Sequence, residues 1–319
     1  MAVPAPGTPA LMAGKPNPAR SVAERRHVHA ATPPFYVSLG DSLSQGYQPR
    51  QGRPGPGHDT NRGYADVVAR ALGLPLVKLG CPGETTTTML HGGICYRNGA
   101  SQLGAATRFL RAHRGRVALV TVDIGINDVV RCQHEAPGPR SAACLGAGLA
   151  SVERNLPTVV RRVRSAAGAG VQIVALDYYA PFVADRRTAR AEWSQYVTGR
   201  LDATLAGVLG PLHVKVADVA PAFGLGRPLA EEAAEVCRLT WVCSPPPVGA
   251  NLHADDAGYR AMARTLEGAL DGLPALRHLA RPAGLAAGLQ DHQVRQGLPQ
   301  RGAAHPELDL VPPPAPRDR

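Results

Sequence analysis

Lysine and aromatic residues are scarce in this 319-residue sequence. Lysine occurs only at positions 15, 78 and 215, and Phe, Trp and Tyr together make up 4% of the chain. The formal charge of +10 therefore comes almost entirely from arginines, which are scattered without a dense basic block. Because nucleic-acid binding combines clustered basic groups with aromatic rings that stack on bases, we expect no nucleic-acid partner. The charge is compatible with adsorption to an anionic surface or polymer.

Long hydrophobic runs are also missing. No stretch approaches the roughly 20 apolar residues of a transmembrane helix, so we expect no stable membrane insertion. Residues 1–34 are rich in Pro and Ala and contain no apolar run typical of a signal peptide. We expect this segment to be flexible.

Cysteines in C-x-x-C spacing are absent, which disfavours a zinc or thioredoxin-like site, and we expect no metal. Six cysteines are present, and the simplest of their possible pairings joins sequence neighbours as Cys81–Cys95, Cys132–Cys144 and Cys237–Cys243. The alternative is six reduced, buried thiols. Disulfides would indicate an oxidising compartment, so we expect a secreted protein, although no signal peptide is visible in this sequence.

Glycine and proline, by contrast, are plentiful, at 35 and 30 residues, and they separate short apolar runs from stretches with helical spacing. Alternation of this kind predicts a three-layer α/β/α sandwich with a mostly parallel sheet of about five strands. The expected strands are 35–39, 74–79, 117–124, 171–176 and 213–216. The expected helices are 63–73, 101–113, 149–167, 186–208 and 255–270, with an irregular loop over 132–144.

The predicted domain covers residues 35–272. The segment that follows, 273–319, is rich in Arg, Pro, Gly and Ala, and we expect it to be disordered.

Three of the predicted strands end in turns of small residues, namely Gly40-Asp41-Ser42, Gly80-Cys81-Pro82-Gly83 and Gly125-Ile126-Asn127-Asp128. In a parallel sheet these turns lie at one edge, where His253 could join them. A hydroxyl, backbone N–H groups, an amide and an imidazole are the groups that acyl transfer needs. Each has a simpler explanation when taken alone: Asp41 and Ser42 are good helix N-caps, and His253 could be structural.

Four sequence blocks in order resemble the SGNH, or GDSL-type, hydrolase family. They are Gly40-Asp41-Ser42-Leu43, Gly83 within Gly-Cys-Pro-Gly-Glu-Thr, Gly125-Ile126-Asn127-Asp128, and His253 followed by Asp256, Gly258 and Tyr259. The local cysteine pairs are similar to those of secreted actinobacterial lipases and esterases. The resemblance implies an SGNH, flavodoxin-like fold and an esterase or lipase without a cofactor.

The resemblance also implies a role for each matching residue. Ser42 would be the nucleophile and His253 its general base. The backbone N–H groups of Ser42 and Gly83, with the side-chain amide of Asn127, would form the oxyanion hole.

One position departs from the family pattern, because Ala250 stands where the family has an acid three residues before the histidine. The group that orients His253 would then be the Ala250 carbonyl or the side-chain oxygen of Asn251. Asp255 and Asp256 lie on the wrong side of the histidine for this role, and we expect Asp256 to cap the last helix.

The sequence therefore predicts a monomeric hydrolase that cleaves a small-molecule or lipid ester. Two alternatives stay open, a carbohydrate O-deacetylase and a non-catalytic glycan-binding domain on the same scaffold.

Overall fold

Five short apolar segments form one parallel sheet, as the sequence predicts, and the strand order is β2-β1-β3-β4-β5. The computed structural model describes residues 33–50, 57–134, 137–246 and 248–272. The expectations for residues 1–32 and 273–319 lie outside this range. The strands are β1 (Phe35–Gly40), β2 (Leu76–Lys78), β3 (Val117–Asp123), β4 (Gln172–Leu176) and β5 (Lys215–Ala217).

Eight α-helices occur in the described residues, and most follow a strand. They are α1 (Tyr64–Leu72), α2 (Thr86–His91), α3 (Gln102–Ala112), α4 (Ile126–Val129), α5 (Pro139–Ala167), α6 (Thr188–Leu209), α7 (Leu229–Leu239) and α8 (Asp256–Ala269). Short 3₁₀ turns lie at Val130–Gln133, Gly210–Leu212 and Ala220–Phe223.

The helices cover both faces of the sheet. Because parallel crossovers are right-handed, the step from β1 to β2 puts α1 on one face, and the later steps in the opposite direction put α3, α5 and α6 on the other. The packing agrees: α8 lies against α1, while α5 lies between α3 and α6. Every residue of β3, the central strand, is buried. The fold is thus the expected three-layer sandwich with the flavodoxin-like strand order.

The observed helices differ from the prediction at α5, which begins earlier, and at α2, α4 and α7, which the expected helices do not include. The segment expected to be an irregular loop after Cys132 already contains the start of α5, which begins at Pro139 rather than near Leu149. Proline is favoured at the first helical position, since its missing N–H would have no partner there. The helix α7 was not predicted. It spans 11 residues, of which Glu232, Val236 and Leu239 are buried.

The structure joins the cysteines in the three neighbouring pairs, Cys81–Cys95, Cys132–Cys144 and Cys237–Cys243. The first two bonds lie in segments that follow β2 and β3. The third joins the end of α7 to the segment that leads to His253. In the part of the chain that the structure describes, no helix is long and apolar enough to cross a membrane.

Candidate active site

The carboxyl ends of β1 and β3 lie side by side, with Gly40 paired to Asp123. The chain changes its winding direction between these two strands, so the turns after them flank the crevice where α/β proteins bind ligands. Gly40 has φ +136°, and a Cβ there would lie 2.1 Å from the Asp123 carbonyl oxygen. Only glycine lets the two strand ends approach this closely.

Ser42 stands in the turn that follows β1. The Asp41 carboxylate shapes this turn: it accepts a hydrogen bond from the Leu43 N–H at 2.9 Å and another from the Tyr178 hydroxyl at 2.9 Å. Residues 42–46 form turns rather than a helix, so the alternative reading of Asp41 and Ser42 as helix caps is wrong. Ser42 keeps 9% of its surface exposed in an otherwise buried turn.

The structure brings His253 to Ser42 across 211 positions of sequence. The Nε2 atom of the imidazole lies 2.8 Å from the Ser42 Oγ. The Nδ1 atom lies 2.7 Å from the Asn251 Oδ1. Of the two candidates for the group behind the histidine, it is therefore the Asn251 side chain that contacts the ring.

The contacts of Asn251 determine which nitrogen of His253 carries the proton. The Oδ1 of Asn251 also lies 3.1 Å from the backbone N of His253, and a backbone N–H can only donate. The amide must therefore present its oxygen to this site, which makes Nδ1 of the ring the donor. The Nε2 atom is left unprotonated and can accept the Ser42 proton.

The environment of His253 favours this neutral form. Burial lowers the pKa of the imidazole to about 4. The partner Asn251 is uncharged, so it supplies no Coulomb attraction for the imidazolium that a carboxylate would provide.

Backbone hydrogen bonds fix the segment that carries both residues. The Asn251 N–H donates to the Trp241 carbonyl and the Trp241 N–H donates to the His253 carbonyl, each at 3.0 Å. The helix α8 then begins directly after the segment. Its cap is Asp255, which accepts from the Ala257 and Gly258 N–H groups, and not Asp256 as expected from the sequence. Asp256 is instead the first helical residue.

The turn after β3 is linked to the turn after β2. The Asn127 Nδ2 donates to the Glu84 carbonyl at 3.1 Å. The neighbouring Asp128 carboxylate accepts from both the N–H and the hydroxyl of Thr86, each at 2.8 Å. These bonds hold Asn127 next to Glu84, the residue that follows Gly83. Gly83 itself has φ +80°, which other residues rarely adopt.

Several buried carboxyl groups surround these turns. Burial raises the pKa of both Asp41 and Asp123, and their proximity raises the pKa of Asp123 further. Burial also raises the pKa of Glu84 to about 7. The Gln102 amide contacts Glu84 and bonds both the N–H and the carbonyl of Gly40, so it connects α3 to the end of β1.

Sequence reasoning missed four residues that support the site, Gln102, Asp128, Tyr178 and Tyr179. Asp128 was noted only as part of a motif. The others carry no local signal, because their partners Gly40, Asp41 and Leu252 are 62 or more positions away in the sequence. Among the described residues there is no cluster of His, Cys, Asp or Glu suited to a metal ion.

Known proteins resemble this chain in sequence pattern and in fold. The model of the GDSL-like lipase/acylhydrolase family matches residues 38–261, which contain every residue discussed above as part of the site. No curated protein matches the chain by sequence.

Solved structures share the fold at low sequence identity. A phospholipase A1 from Streptomyces albidoflavus is 19% identical, with a TM-score of 0.54 over 75% of this chain and 100% of its own. An extracellular lipase from Streptomyces rimosus is 19% identical, with a TM-score of 0.52 over 74% and 100% of the two chains. The lipase Lip_vut3 from a goat rumen metagenome is 18% identical, with a TM-score of 0.50 over 74% and 96%. The match to the family model extends over most of the chain, and we conclude that this protein belongs to the GDSL-like lipase/acylhydrolase family of hydrolases.

Proposed function

We propose that the protein hydrolyses carboxylic esters through an acyl-enzyme, with Ser42 as nucleophile and His253 as general base. The observation that carries the proposal is the Ser42 Oγ to His253 Nε2 distance of 2.8 Å, on a ring whose Nδ1 bonds to Asn251. A serine hydroxyl is a weak nucleophile unless a base takes its proton as it attacks.

In the first half of the reaction, the Ser42 Oγ attacks the ester carbonyl while its proton moves to His253 Nε2. The resulting tetrahedral intermediate collapses when the alcohol leaves with that proton. In the second half, His253 takes a proton from water as the water oxygen attacks the acyl-enzyme, and the acid is released when His253 returns that proton to the Ser42 Oγ.

We assign the oxyanion hole to the N–H groups of Ser42 and Gly83 and to the Asn127 amide. The hydrogen bond from Asn127 to the Glu84 carbonyl uses one N–H of the amide, which has a second donor for an oxyanion. Each donor of this kind contributes about 2.7–4 kcal/mol to transition-state stabilisation in comparable sites.

We further propose that the substrate is a lipid or small-molecule ester outside the cell. Disulfides persist in oxidising compartments, and three of them lie in the described residues. The Streptomyces structures with the same fold are named as a phospholipase A1 and an extracellular lipase. A panel of p-nitrophenyl esters of increasing acyl length, tested beside an acetylated sugar, separates a lipase from a short-chain esterase and from a deacetylase.

The first prediction concerns Ser42. We expect Ser42→Ala to lower kcat for a p-nitrophenyl ester by about 10³-fold or more and to abolish labelling by a fluorophosphonate, because the Ser42 hydroxyl is the group that would carry the acyl chain. Ser151→Ala, on the surface of α5, is the control and should leave both unchanged. If the wild-type protein neither turns over esters nor reacts with the fluorophosphonate, the proposal is wrong and a non-catalytic binding domain becomes the better explanation.

A further inference from the structure

Two consecutive tyrosines after β4 contact both halves of the proposed site. The Tyr178 hydroxyl reaches the turn that carries Ser42, and the Tyr179 hydroxyl reaches the segment that carries His253. We propose that this tyrosine pair positions the nucleophile and the base relative to each other. The inference rests on the proposed function only in assigning a reaction to the two groups that the pair positions.

Tyr178 acts through Asp41. Its hydroxyl donates to one oxygen of the Asp41 carboxylate at 2.9 Å, and the other oxygen accepts the Leu43 N–H at 2.9 Å. Asp41 and Leu43 flank Ser42 in the chain. The hydroxyl of Tyr178 therefore fixes a carboxylate that bridges the two neighbours of the nucleophile. Asp41 is fully buried, so a displaced carboxylate has no water to replace the lost donor.

Tyr179 acts through the backbone next to His253. Its hydroxyl donates to the Leu252 carbonyl at 2.6 Å. Leu252 lies between Asn251 and His253, the two residues whose side chains bond to each other. A shift of the Leu252 peptide would therefore move the imidazole and its partner together, away from Ser42.

The backbone and ring that support these two hydroxyls are themselves fixed. The Tyr178 N–H donates to Asp202 of α6 at 3.2 Å. The preceding Asp177 accepts from two backbone N–H groups just after β5. The Tyr179 ring stacks on Phe223, with centroids 4.4 Å apart. Both tyrosines are at most 5% exposed. A positioning role requires such a rigid support, because a mobile tyrosine would not hold the position of the group that its hydroxyl contacts.

The turn that carries Ser42 and the segment that carries His253 are thus both hydrogen-bonded to the same short stretch of chain after β4. The two reacting groups come from opposite ends of the domain sequence, and no covalent link holds them at 2.8 Å. Displacements of about 1 Å in such a contact can lower a rate by about 10²-fold without changing the chemistry of either group.

The test uses Tyr178→Phe and Tyr179→Phe in the full chain, with Tyr36→Phe as matched control. Tyr36 is also fully buried and its hydroxyl shares a hydrogen bond with the Thr121 hydroxyl at 2.9 Å, but it lies near the amino end of β1. We expect each of the first two variants to lower kcat and the fluorophosphonate labelling rate by about tenfold or more, with KM changed less than about twofold. The control should lower the thermal midpoint by a similar amount and leave kcat within about twofold.

The double variant provides a second criterion. Because both hydroxyls serve one distance, its loss of kcat should be smaller than the product of the two single losses. Equal effects of all three single variants on kcat, or effects confined to KM or thermal stability, would overturn the inference. If Tyr178→Phe does not fold, Tyr179→Phe decides, because the group it leaves unpaired is a carbonyl rather than a carboxylate.

A readout independent of turnover separates this inference from the proposed function. The ¹⁵N chemical shifts of the His253 ring report its contacts with Ser42 and Asn251 even in a protein that cleaves no ester. We expect these shifts to change in Tyr179→Phe and to stay constant in Tyr36→Phe. Unchanged shifts in both would reject the positioning role, whereas an inactive wild-type protein with the expected shifts would reject only the proposed reaction.

Discussion

At the scale of single residues, the orientation of one amide sets the protonation of the proposed base. The Asn251 oxygen accepts from the backbone N–H and the Nδ1–H of the same histidine. In a Ser-His-Asp site a carboxylate performs this role and also stabilises the imidazolium that forms during the reaction. Here the amide can orient the ring but carries no charge to stabilise the imidazolium. Asn251 can therefore orient the His253 ring but cannot stabilise its positive charge.

The role of Asn251 can be tested by two substitutions with opposite outcomes. We expect Asn251→Ala to lower kcat by about 100-fold or more, since the ring loses the partner that fixes its tautomer. Asn251→Asp should keep the activity and raise the His253 pKa, because a carboxylate accepts the same hydrogen bonds and attracts the imidazolium. Steady-state kinetics with a p-nitrophenyl ester measure kcat for both variants, and the pH dependence of kcat/KM reports the His253 pKa. A weak effect of Asn251→Ala would return the role to the Ala250 carbonyl.

The low pKa of His253 predicts the acid limb of the pH profile. Only the neutral imidazole can act as the base, and burial holds its pKa at about 4. We expect kcat/KM for an uncharged ester to stay constant down to about pH 5 and to fall tenfold per pH unit below about pH 4. A fixed-time assay across this range measures it, and a limb centred near the ordinary histidine value of about 6.5 would contradict the prediction.

The same group affects stability in a defined direction. Between about pH 6.5 and pH 4 the unfolded chain binds a proton at this histidine while the folded protein does not. The contribution of the neutral His253 to stability is therefore present above about pH 6.5 and is lost as the pH falls to about 4.

At the scale of secondary-structure elements, the site depends on how closely the strand ends and turns approach each other. β1 and β3 meet where Gly40 faces Asp123, and the side chain of Gln102 bonds both backbone groups of Gly40. The turns after β2 and β3 are joined through Thr86 and Asp128. The position of each turn at the site is thus fixed by hydrogen bonds to a neighbouring strand, turn or helix rather than by the sequence of the turn itself.

The Gly40 contact gives a prediction at this scale. We expect Gly40→Ala to destabilise the fold by about 3 kcal/mol or more, because the new methyl would overlap the Asp123 carbonyl at an unfavourable φ. The matched control is Gly207→Ala on α6, where a Cβ meets nothing within 4 Å. It should stabilise the protein by about 0.5–1 kcal/mol through helix propensity. Urea unfolding measures both, and equal free energies of unfolding for Gly40→Ala and the wild type would contradict the prediction.

At the scale of the whole molecule, three short-range disulfides supplement a large core that extends over both faces of the sheet. The bonds close segments of 14, 12 and 6 residues. Restricting the unfolded chain in this way contributes about 2–3 kcal/mol for each bond on the chain-entropy model, and more for a longer segment. Such bonds suit a protein that works in an oxidising environment.

Two measurements test the disulfides. Reduction should raise the intact mass by two hydrogens for each of the three bonds. Replacing both Cys81 and Cys95 by Ser should also lower the free energy of unfolding more than replacing Cys237 and Cys243, by about 0.5–1 kcal/mol, because the first bond closes the longer segment. An unchanged mass on reduction would remove the main argument for secretion.

The sequence by itself determined the architecture and named the groups that we propose to react. Alternating apolar runs and helical spacing are local signals, so they predicted the parallel sheet and most helices. Ser42, Asn127 and His253 could be named because each stands in a short motif at the end of a strand or the start of a helix. The early start of α5 escaped prediction because residues 139–148 carry a single large apolar side chain, Leu145, so this stretch shows no helical spacing of its own. The helix α7 also escaped prediction.

Only the tertiary structure decided how these groups are held. The choice of Asn251 over the Ala250 carbonyl depends on a side-chain rotamer that no spacing rule specifies. The choice of Asp255 over Asp256 as the cap of α8 depends on where the first helical turn closes. The bonds from Gln102 to Gly40, from Tyr178 to Asp41 and from Tyr179 to Leu252 join residues 62 to 137 positions apart. Hydrogen bonds of this range exist only after the chain has folded, and for that reason local sequence patterns do not reveal them.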